Sequence, residues 1–495
     1  MAGVGFELQK LLRKGTLVAT LQAFLYGAVL AAGPIVLTML SVGIIAWMSY
    51  GLLHAGVMRL FTVTVVYTFA FSLILTGPFQ LVFTRYVADK HFSKELEHIY
   101  PGFLTSVALV SGLALMAAVP FYLLLDVYAD VGNLFLYKLF GVLTFWAVCL
   151  IWQIMGFVST TKEYQKVVLS YFVGTIASLG VAYVLIPRIT VAGGLAGFGT
   201  GQWLVVILLY RIVTKPLKKE SFWRKEYFRY LGIYPYVALN GLFYNFGLWV
   251  DKFIFWSHFK QQQGASFFYT FNFYDVPNFL AFLTIIPALA YFLILTETNF
   301  YRDYSKFVGD ILHEPLLLIE DKKWDMIDTL KRGMNGMLRL QGLITLLLIV
   351  FAEPVLVFLG YRGVSLWVFR ILLVGVFFHV VNLNLNIILL YYELRKQAFL
   401  LTLTFAVTNA LFTLFSLHLG IQYFGAGFLA STLLTAFISW RVLMRAVQRI
   451  DFLIFASQPL SSVVQLQQKK GWRRWLKKMK DGWINGRNMQ PEYYS

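Results

Sequence analysis

The chain has 495 residues, 59% of them hydrophobic and only 13% charged, with a formal charge of +18. A soluble domain carries about 25% charged residues, so this composition excludes a large soluble core and indicates a polytopic membrane protein. The basic residues lie between hydrophobic segments, where anionic headgroups and the positive-inside rule account for them without nucleic acid.

The first sixteen residues begin MAGVGFELQKLLRK. Phe6, Leu8, Leu11 and Leu12 can lie in the interface while Lys10, Arg13 and Lys14 meet headgroups. The hydrophobic run that follows reaches about residue 48. It is too long for a signal-peptide core and reads as an uncleaved first span. Length and hydropathy predict twelve spans, near 17–48, 58–84, 101–125, 134–158, 165–187, 192–212, 229–257, 267–296, 333–359, 365–391, 397–418 and 422–445. With both termini cytoplasmic, about thirty-four of the 42 Lys and Arg residues fall inside, which fixes the expected orientation.

The expected organisation is all-α. An amphipathic segment (1–16) precedes an N-lobe of six spans (17–212), a cytoplasmic linker (213–228) and a C-lobe of six spans (229–445). The C-lobe carries a helical cytoplasmic connection at 297–332, and a basic amphipathic tail (446–495) closes the chain. In that tail KKGWRRWLKKMKDGW, at 469–483, reads as an interfacial helix on anionic lipid. Gly33-Pro34, Gly77-Pro78, Pro235, Pro277 and Pro287 interrupt the leading spans of each half, where freed carbonyls need neighbours or water. The glycines from Gly193 to Gly201 lack a GK[ST] ending and read as close helix packing rather than a phosphate loop.

In the seventh span the sequence NFGLWVDKFIFW places Asp251 beside Lys252. Adjacent helical residues point about 100° apart, so each side chain is expected to need its own partner, or the pair to lie where the segment meets the outer interface. Asp251 is either a structural ion-pair partner, with Lys252 snorkelling outward, or part of a translocation path. The eighth span begins FFYTFNFYDVPNFLAF. Asn272 and Asp275 offer hydrogen bonds to sugar hydroxyls, and Tyr269 and Tyr274 offer flat faces to sugar rings. The same run also fits an aromatic belt at the interface. His379, Asn382 and Asn386 recur three and four residues apart in the tenth span. They read as an inward polar stripe or as a metal or proton site. Arg85 and Asp89 close the second span, where a polymer would enter, or form a structural ion pair. Neither HExxH, a P-loop nor GxSxG is present, and with one cysteine, Cys149, no disulfide or cysteine metal cluster is expected. No enzyme, cofactor or metal site is expected.

Four stretches carry a resemblance: MAGVGFELQKLLRK at the start, TGPFQLVFTRYVADK at 76–90, GLWVDKFIFW at 247–256, and YDVPNFLAFLTIIPALAYF with ETNFY at 274–301. They are similar to the PelG family of inner-membrane transporters in Pel exopolysaccharide systems. The resemblance implies a flippase-like architecture of two six-helix lobes, as in the multidrug/oligosaccharidyl-lipid/polysaccharide exporter superfamily. It also implies transport of a hexosamine-rich polysaccharide across the bacterial cytoplasmic membrane. The partners it implies are a PelF-like cytosolic glycosyltransferase and PelD-like and PelE-like membrane proteins. A lipid-linked oligosaccharide flippase or ion-coupled antiporter of the same fold, and a non-transporting synthase scaffold, are the alternatives.

Overall fold

The computed structural model describes residues 16–50, 55–158, 163–217, 226–295, 300–310, 316–360 and 366–448. The expected amphipathic start, up to residue 15, and the tail from residue 449 lie outside them. Two compact units are distinguished, Met1–Trp440 and Arg441–Ser495, and the second is described only over its helical residues 441–448. The account below concerns the first.

Its first lobe comprises α1 (Leu17–Tyr50), α2 (Ala55–Phe92), α3 (Ile99–Leu124), α4 (Leu134–Val158) and α5 (Tyr164–Thr214). At 1.5 Å per residue the 51 residues of α5 would run to about 75 Å, far more than one bilayer crossing. The helix instead turns back at Ile189 and Thr190, where Thr190 adopts φ 49° just after Pro187. The two arms then pack on the glycines that follow. A Cβ at Gly193 would lie 2.4 Å from the Leu185 carbonyl oxygen, and one at Gly197 would lie 2.6 Å from Ala182. These glycines are buried in helix contacts, as close packing requires.

The second lobe begins with the short α6 (Glu226–Ile233) and continues through α7 (Pro235–Phe259). An antiparallel hairpin follows, β1 (Gln261–Gln262) with β2 (Tyr269–Thr270). Then come α8 (Asn272–Leu283), α9 (Ile286–Leu295), α10 (Tyr301–Asp310), α11 (Leu316–Val350), α12 (Ala352–Phe358), α13 (Leu366–Tyr391), α14 (Arg395–Leu419) and α15 (Ala426–Gln448). Among the described residues, nine helical stretches are long and apolar enough to cross a membrane. With the doubled arm of α5, and with α1 and α7 beside them, about twelve crossings result. The protein is an all-α, multi-pass membrane protein of two lobes.

The helices are inside-out by the standard of a soluble bundle. On α14, Thr402, Asn409, Thr413 and Ser416 are buried while Val407, Leu411, Leu414 and Phe415 are exposed. That pattern suits hydrocarbon outside and hydrogen-bonded packing inside. Many hydroxyls, such as Thr64, Thr76 and Thr84, bond the carbonyl four residues back and contribute little to a site.

Several expected breaks fall elsewhere. Pro34 and Pro78 lie inside the uninterrupted elements α1 and α2, whereas Pro235 starts α7, where its missing N–H is no loss. The eighth span is not helical from 267: a hairpin occupies its first residues and a break at Thr284 separates α8 from α9. The charged stretch before residue 333 is also not separate from the ninth span. With no proline between 316 and 350, α11 runs continuously through it.

Candidate functional site

The buried charges of α7 pair with each other. Lys252 bends back so that its Nζ donates to Asp251 at 3.2 and 3.3 Å and to the Leu248 carbonyl at 2.9 Å. The sequence expectation of separate partners is corrected by the reach of the four-carbon stem. Asp251 is fully buried and Lys252 only 8% exposed, so the lysine does not snorkel to the interface. Tyr274 on α8, also fully buried, donates its hydroxyl to Asp251 Oδ2 at 2.5 Å and accepts from Asn278 at 3.3 Å. The Lys252 ammonium lies 5.5 to 6.0 Å from the ring centroids of Trp249, Tyr274 and Phe282, within cation–π range.

Asp275 does something different. It accepts from Trp256 Nε1 at 2.9 Å and from the backbone N–H of Phe271 at 2.9 Å, the residue just before α8. It therefore ties the hairpin-to-helix junction to α7. Asn272, the first residue of α8, is exposed and does not join this set. Tyr269 takes part through its backbone. Tyr67 on α2 donates to its carbonyl at 3.0 Å and accepts from its N–H at 2.9 Å. Tyr67 also stacks on Trp256 with centroids 4.8 Å apart. The hairpin reaches the first lobe a second time, where the Ser266 N–H donates to the Asp126 carbonyl at 2.8 Å.

Below this aromatic end, α2 and α7 cross in direct backbone contact. A Cβ at Gly77 would sit 2.7 Å from the Gly241 carbonyl oxygen, and one at Gly241 would sit 2.3 Å from that of Gly77. Asn245 seals the crossing by donating to the Leu73 carbonyl at 2.8 Å. On the opposite flank α7 is stitched to α14, by Asn409 to the Gly247 carbonyl at 2.9 Å and by Thr402 to Asn240 at 3.1 Å.

Arg85 belongs to the other end. Eighteen residues beyond Tyr67 on one helix place it about 27 Å away, close to a bilayer's hydrocarbon thickness. It pairs with Asp89 at 2.9 Å and with Glu393, just past α13. Arg395 also pairs with Glu393 and lies 4.4 Å from the centroid of Tyr234, whose hydroxyl donates to Asp89 at 2.6 Å. The two lobes thus meet at the Tyr67 end, at the glycine crossing and at the Arg85 end.

His379, Asn382 and Asn386 line a small pocket in the second lobe with Tyr244, Thr402, Phe405 and Thr435. Tyr244 and His379 Nε2 lie 3.3 Å apart, and Asn382 donates to the Thr432 carbonyl at 2.8 Å. The residues singled out in the sequence therefore form three groups rather than one. Tyr234, Asn245, Gly241 and Arg395 complete those groups and carry no site signal of their own in the sequence. Arg85 and Glu393 are 308 positions apart, a pairing no local spacing signals. One trio of potential metal ligands, Glu95, His98 and Glu226, gathers among the described residues. Lys90 Nζ already donates to both glutamates at 2.6 Å, which makes this an ion-pair cluster.

The sequence profile of the family described as "PelG: Putative exopolysaccharide Exporter (EPS-E)" matches residues 1–455. No curated protein matches the chain. Solved transporters share the fold. A MATE protein in its bent conformation superposes with TM-score 0.63 at 11% identity, covering 86% of this chain and 96% of that one. An outward-facing multidrug resistance MATE family transporter of the MOP superfamily gives TM-score 0.60 at 12% identity, covering 87% and 97%. A MOP superfamily transporter from Pyrococcus furiosus Vc1 gives 0.60 at 11% identity, covering 86% and 96%. At such identities the likeness concerns the fold alone. The family match spans nearly the whole chain: the chain belongs to the PelG family, and its fold is that of the solved MATE transporters.

Proposed function

We propose that this chain moves a hexosamine-rich exopolysaccharide across the bacterial cytoplasmic membrane, between its two lobes, with both termini cytoplasmic. The observation that carries this reading is the buried Asp251–Lys252–Tyr274 set lying between two inter-lobe seams. At the inner seam Arg85, Asp89, Glu393 and Arg395 are charges that a polymer's hydroxyls can replace as partners. When the lobes part, Asp251 and Asp275 exchange their present donors, Lys252, Tyr274 and Trp256, for sugar hydroxyls, and Tyr269, Tyr274 and Trp256 turn their rings to sugar CH faces. Asn272, exposed at the start of α8, stands at the outer margin of this path.

The Lys and Arg bias of the loops supports the orientation, which puts the Arg85 end inside. The polymer then arrives from a PelF-like glycosyltransferase, and α10 with the charged first half of α11 is the docking surface for it or for PelD-like and PelE-like proteins. Thr329 on α11 donates to Asp303 on α10 at 2.8 Å, which joins these two helices into one surface.

The test is polymer location in producing cells with and without this chain, with the glycosyltransferase confirmed present and active. Hexosamine polymer retained in the cytosol without the chain supports the reading, and continued export refutes it. Collapse of synthase assembly with export otherwise intact would favour the scaffold alternative. The buried Asp251 carboxylate favours a second reading, an ion-coupled carrier of lipid-linked oligosaccharide or a small molecule. Loss of transport on collapsing the proton gradient, mirrored by Asp251→Asn, would support that coupling.

A further inference from the structure

The β1–β2 hairpin belongs to the second lobe by sequence but is held by the first. Val127, in the connection between α3 and α4, forms an antiparallel bridge with Ala265 in the loop of the hairpin. The N–H groups of Tyr128 and Ala129 donate to the Gly264 carbonyl at 2.9 and 3.1 Å, and the Ser266 N–H donates to the Asp126 carbonyl at 2.8 Å. The Asp126 N–H donates in turn to Ser266 Oγ at 3.1 Å. Gly264 permits this approach: its φ is +70°, and an added Cβ would lie 3.0 Å from the Ala129 Cβ. Phe268, fully buried, sets its ring 4.8 Å from that of Tyr67 and 5.9 Å from that of Phe121, both in the first lobe.

A hairpin with strands of two residues is marginal by itself, so these contacts keep it in place. At the end of its second strand the hold passes through one oxygen. Asp275 Oδ2 accepts from the Phe271 N–H and from Trp256 Nε1, each at 2.9 Å. Trp256 carries the ring on which Tyr67 stacks, and Tyr67 grips both backbone groups of Tyr269. A group that took Asp275 Oδ2 would therefore release the start of α8 and loosen the Tyr67 stack together.

We propose that this hairpin is the outer gate of the path and that Asp275 is its latch: a sugar hydroxyl donating to Asp275 displaces the Phe271 N–H and Trp256, and the hairpin leaves the first lobe. This rests on the transport reading, which puts the hairpin outside and makes Asp275 a sugar partner. It adds that sugar binding and outward opening are one event.

Two variants test it. The backbone bonds flank the Val127–Ala265 pair rather than join it, and such pairs bring Cα atoms to about 4.5 Å, within disulfide range. Val127→Cys with Ala265→Cys in a Cys149→Ser background should cross-link unaided in the oxidising periplasm. Polymer export from producing cells should then stop, return with a membrane-impermeant reductant, and persist in either single-cysteine variant. The second variant is Asp275→Asn, which keeps the side-chain shape and gives up the charge. Asn278→Cys, on α8 beside Tyr274, reports outward opening through a membrane-impermeant thiosulfonate added to spheroplasts. Asp275→Asn should quicken that labelling about tenfold or more, as loss of a hydrogen bond to a charged group does.

Export that continues with the disulfide complete would overturn the gate and, while export still needs the chain, leave the transport reading standing. Labelling unchanged by Asp275→Asn would overturn the latch, and it decides the matter if the double-cysteine chain fails to accumulate. Export that does not need the chain would remove the transport reading itself.

Discussion

Arg85 on α2 and Glu393 just past α13 form an ion pair that ties the first lobe to the second at one end of the bundle. Their side chains are 32% and 42% exposed, so the pair is worth no more than about 1 kcal/mol. A tie of that strength can break and re-form in a transport cycle. Glu393→Gln should therefore leave thermal stability within about 1 kcal/mol of the unmodified chain. It should also raise the labelling rate of a cysteine placed at Leu81, beside the α2–α7 crossing, in a Cys149→Ser background. Labelling unchanged by Glu393→Gln would show that the pair closes nothing.

The crossing of α2 and α7 depends on having no side chain at Gly77 or Gly241. The added Cβ of Gly241→Ala would meet the Gly77 carbonyl oxygen at 2.3 Å, which backbone can relieve only by separating the helices. The expected cost is about 1–3 kcal/mol, together with loss of the Asn245 bond to Leu73. Gly112→Ala, with nothing within 4 Å of its added Cβ, serves as the control and should be near neutral. Thermal unfolding of the two variants in detergent makes the comparison.

Asp251 and Lys252 form a buried pair that should be coupled energetically. Removing only the lysine, by Lys252→Met, leaves a carboxylate buried against Tyr274 and should cost about 3–5 kcal/mol. The double variant Asp251→Asn/Lys252→Met should be less damaged than the sum of the singles. Tyr274→Phe removes a hydrogen bond to a charged group and should cost about 1.5–3 kcal/mol. A double-mutant cycle measured by unfolding would expose additivity, which would show that the two charges do not stabilise one another.

Tyr67 holds the hairpin by both polar backbone groups of Tyr269. Tyr67→Phe keeps the stacking on Trp256 but leaves that N–H and carbonyl without their partner. Hydrogen exchange at Tyr269 and its neighbours should accelerate, while the Arg85 end stays protected. Acceleration spread equally over both ends would argue against separate seams.

Much of the architecture is legible in the sequence because lipid makes helices apolar on nearly every face, and hydropathy registers that directly. The helix turn after Pro187 and the packing role of Gly193 and Gly197 are readable for the same reason. The hairpin at 261–270 is not, because the aromatic run that follows Gly264 looks the same in a helix as in a strand. Gly77 reads locally as a proline-linked kink, and only its contact with Gly241 shows that it makes room for another backbone. Asn272 and Asp275 look equivalent at a spacing of three. The structure leaves Asn272 exposed and commits Asp275 to the Phe271 N–H and Trp256, since only Asp275 reaches back to the helix start. Cβ directions alone set adjacent Asp251 and Lys252 apart, and the long lysine stem brings them together.

A reversible cross-link across the Arg85–Glu393 seam tests the transport path most directly. Arg85→Cys and Glu393→Cys in a Cys149→Ser background, bridged by a membrane-permeant bis-methanethiosulfonate reagent, tie the lobes where an ion pair now joins them. In polymer-producing cells with the glycosyltransferase active, cross-linking should hold hexosamine polymer inside, and its reductive cleavage should restore export. Export that continues while the cross-link is shown to be complete would contradict passage between the lobes.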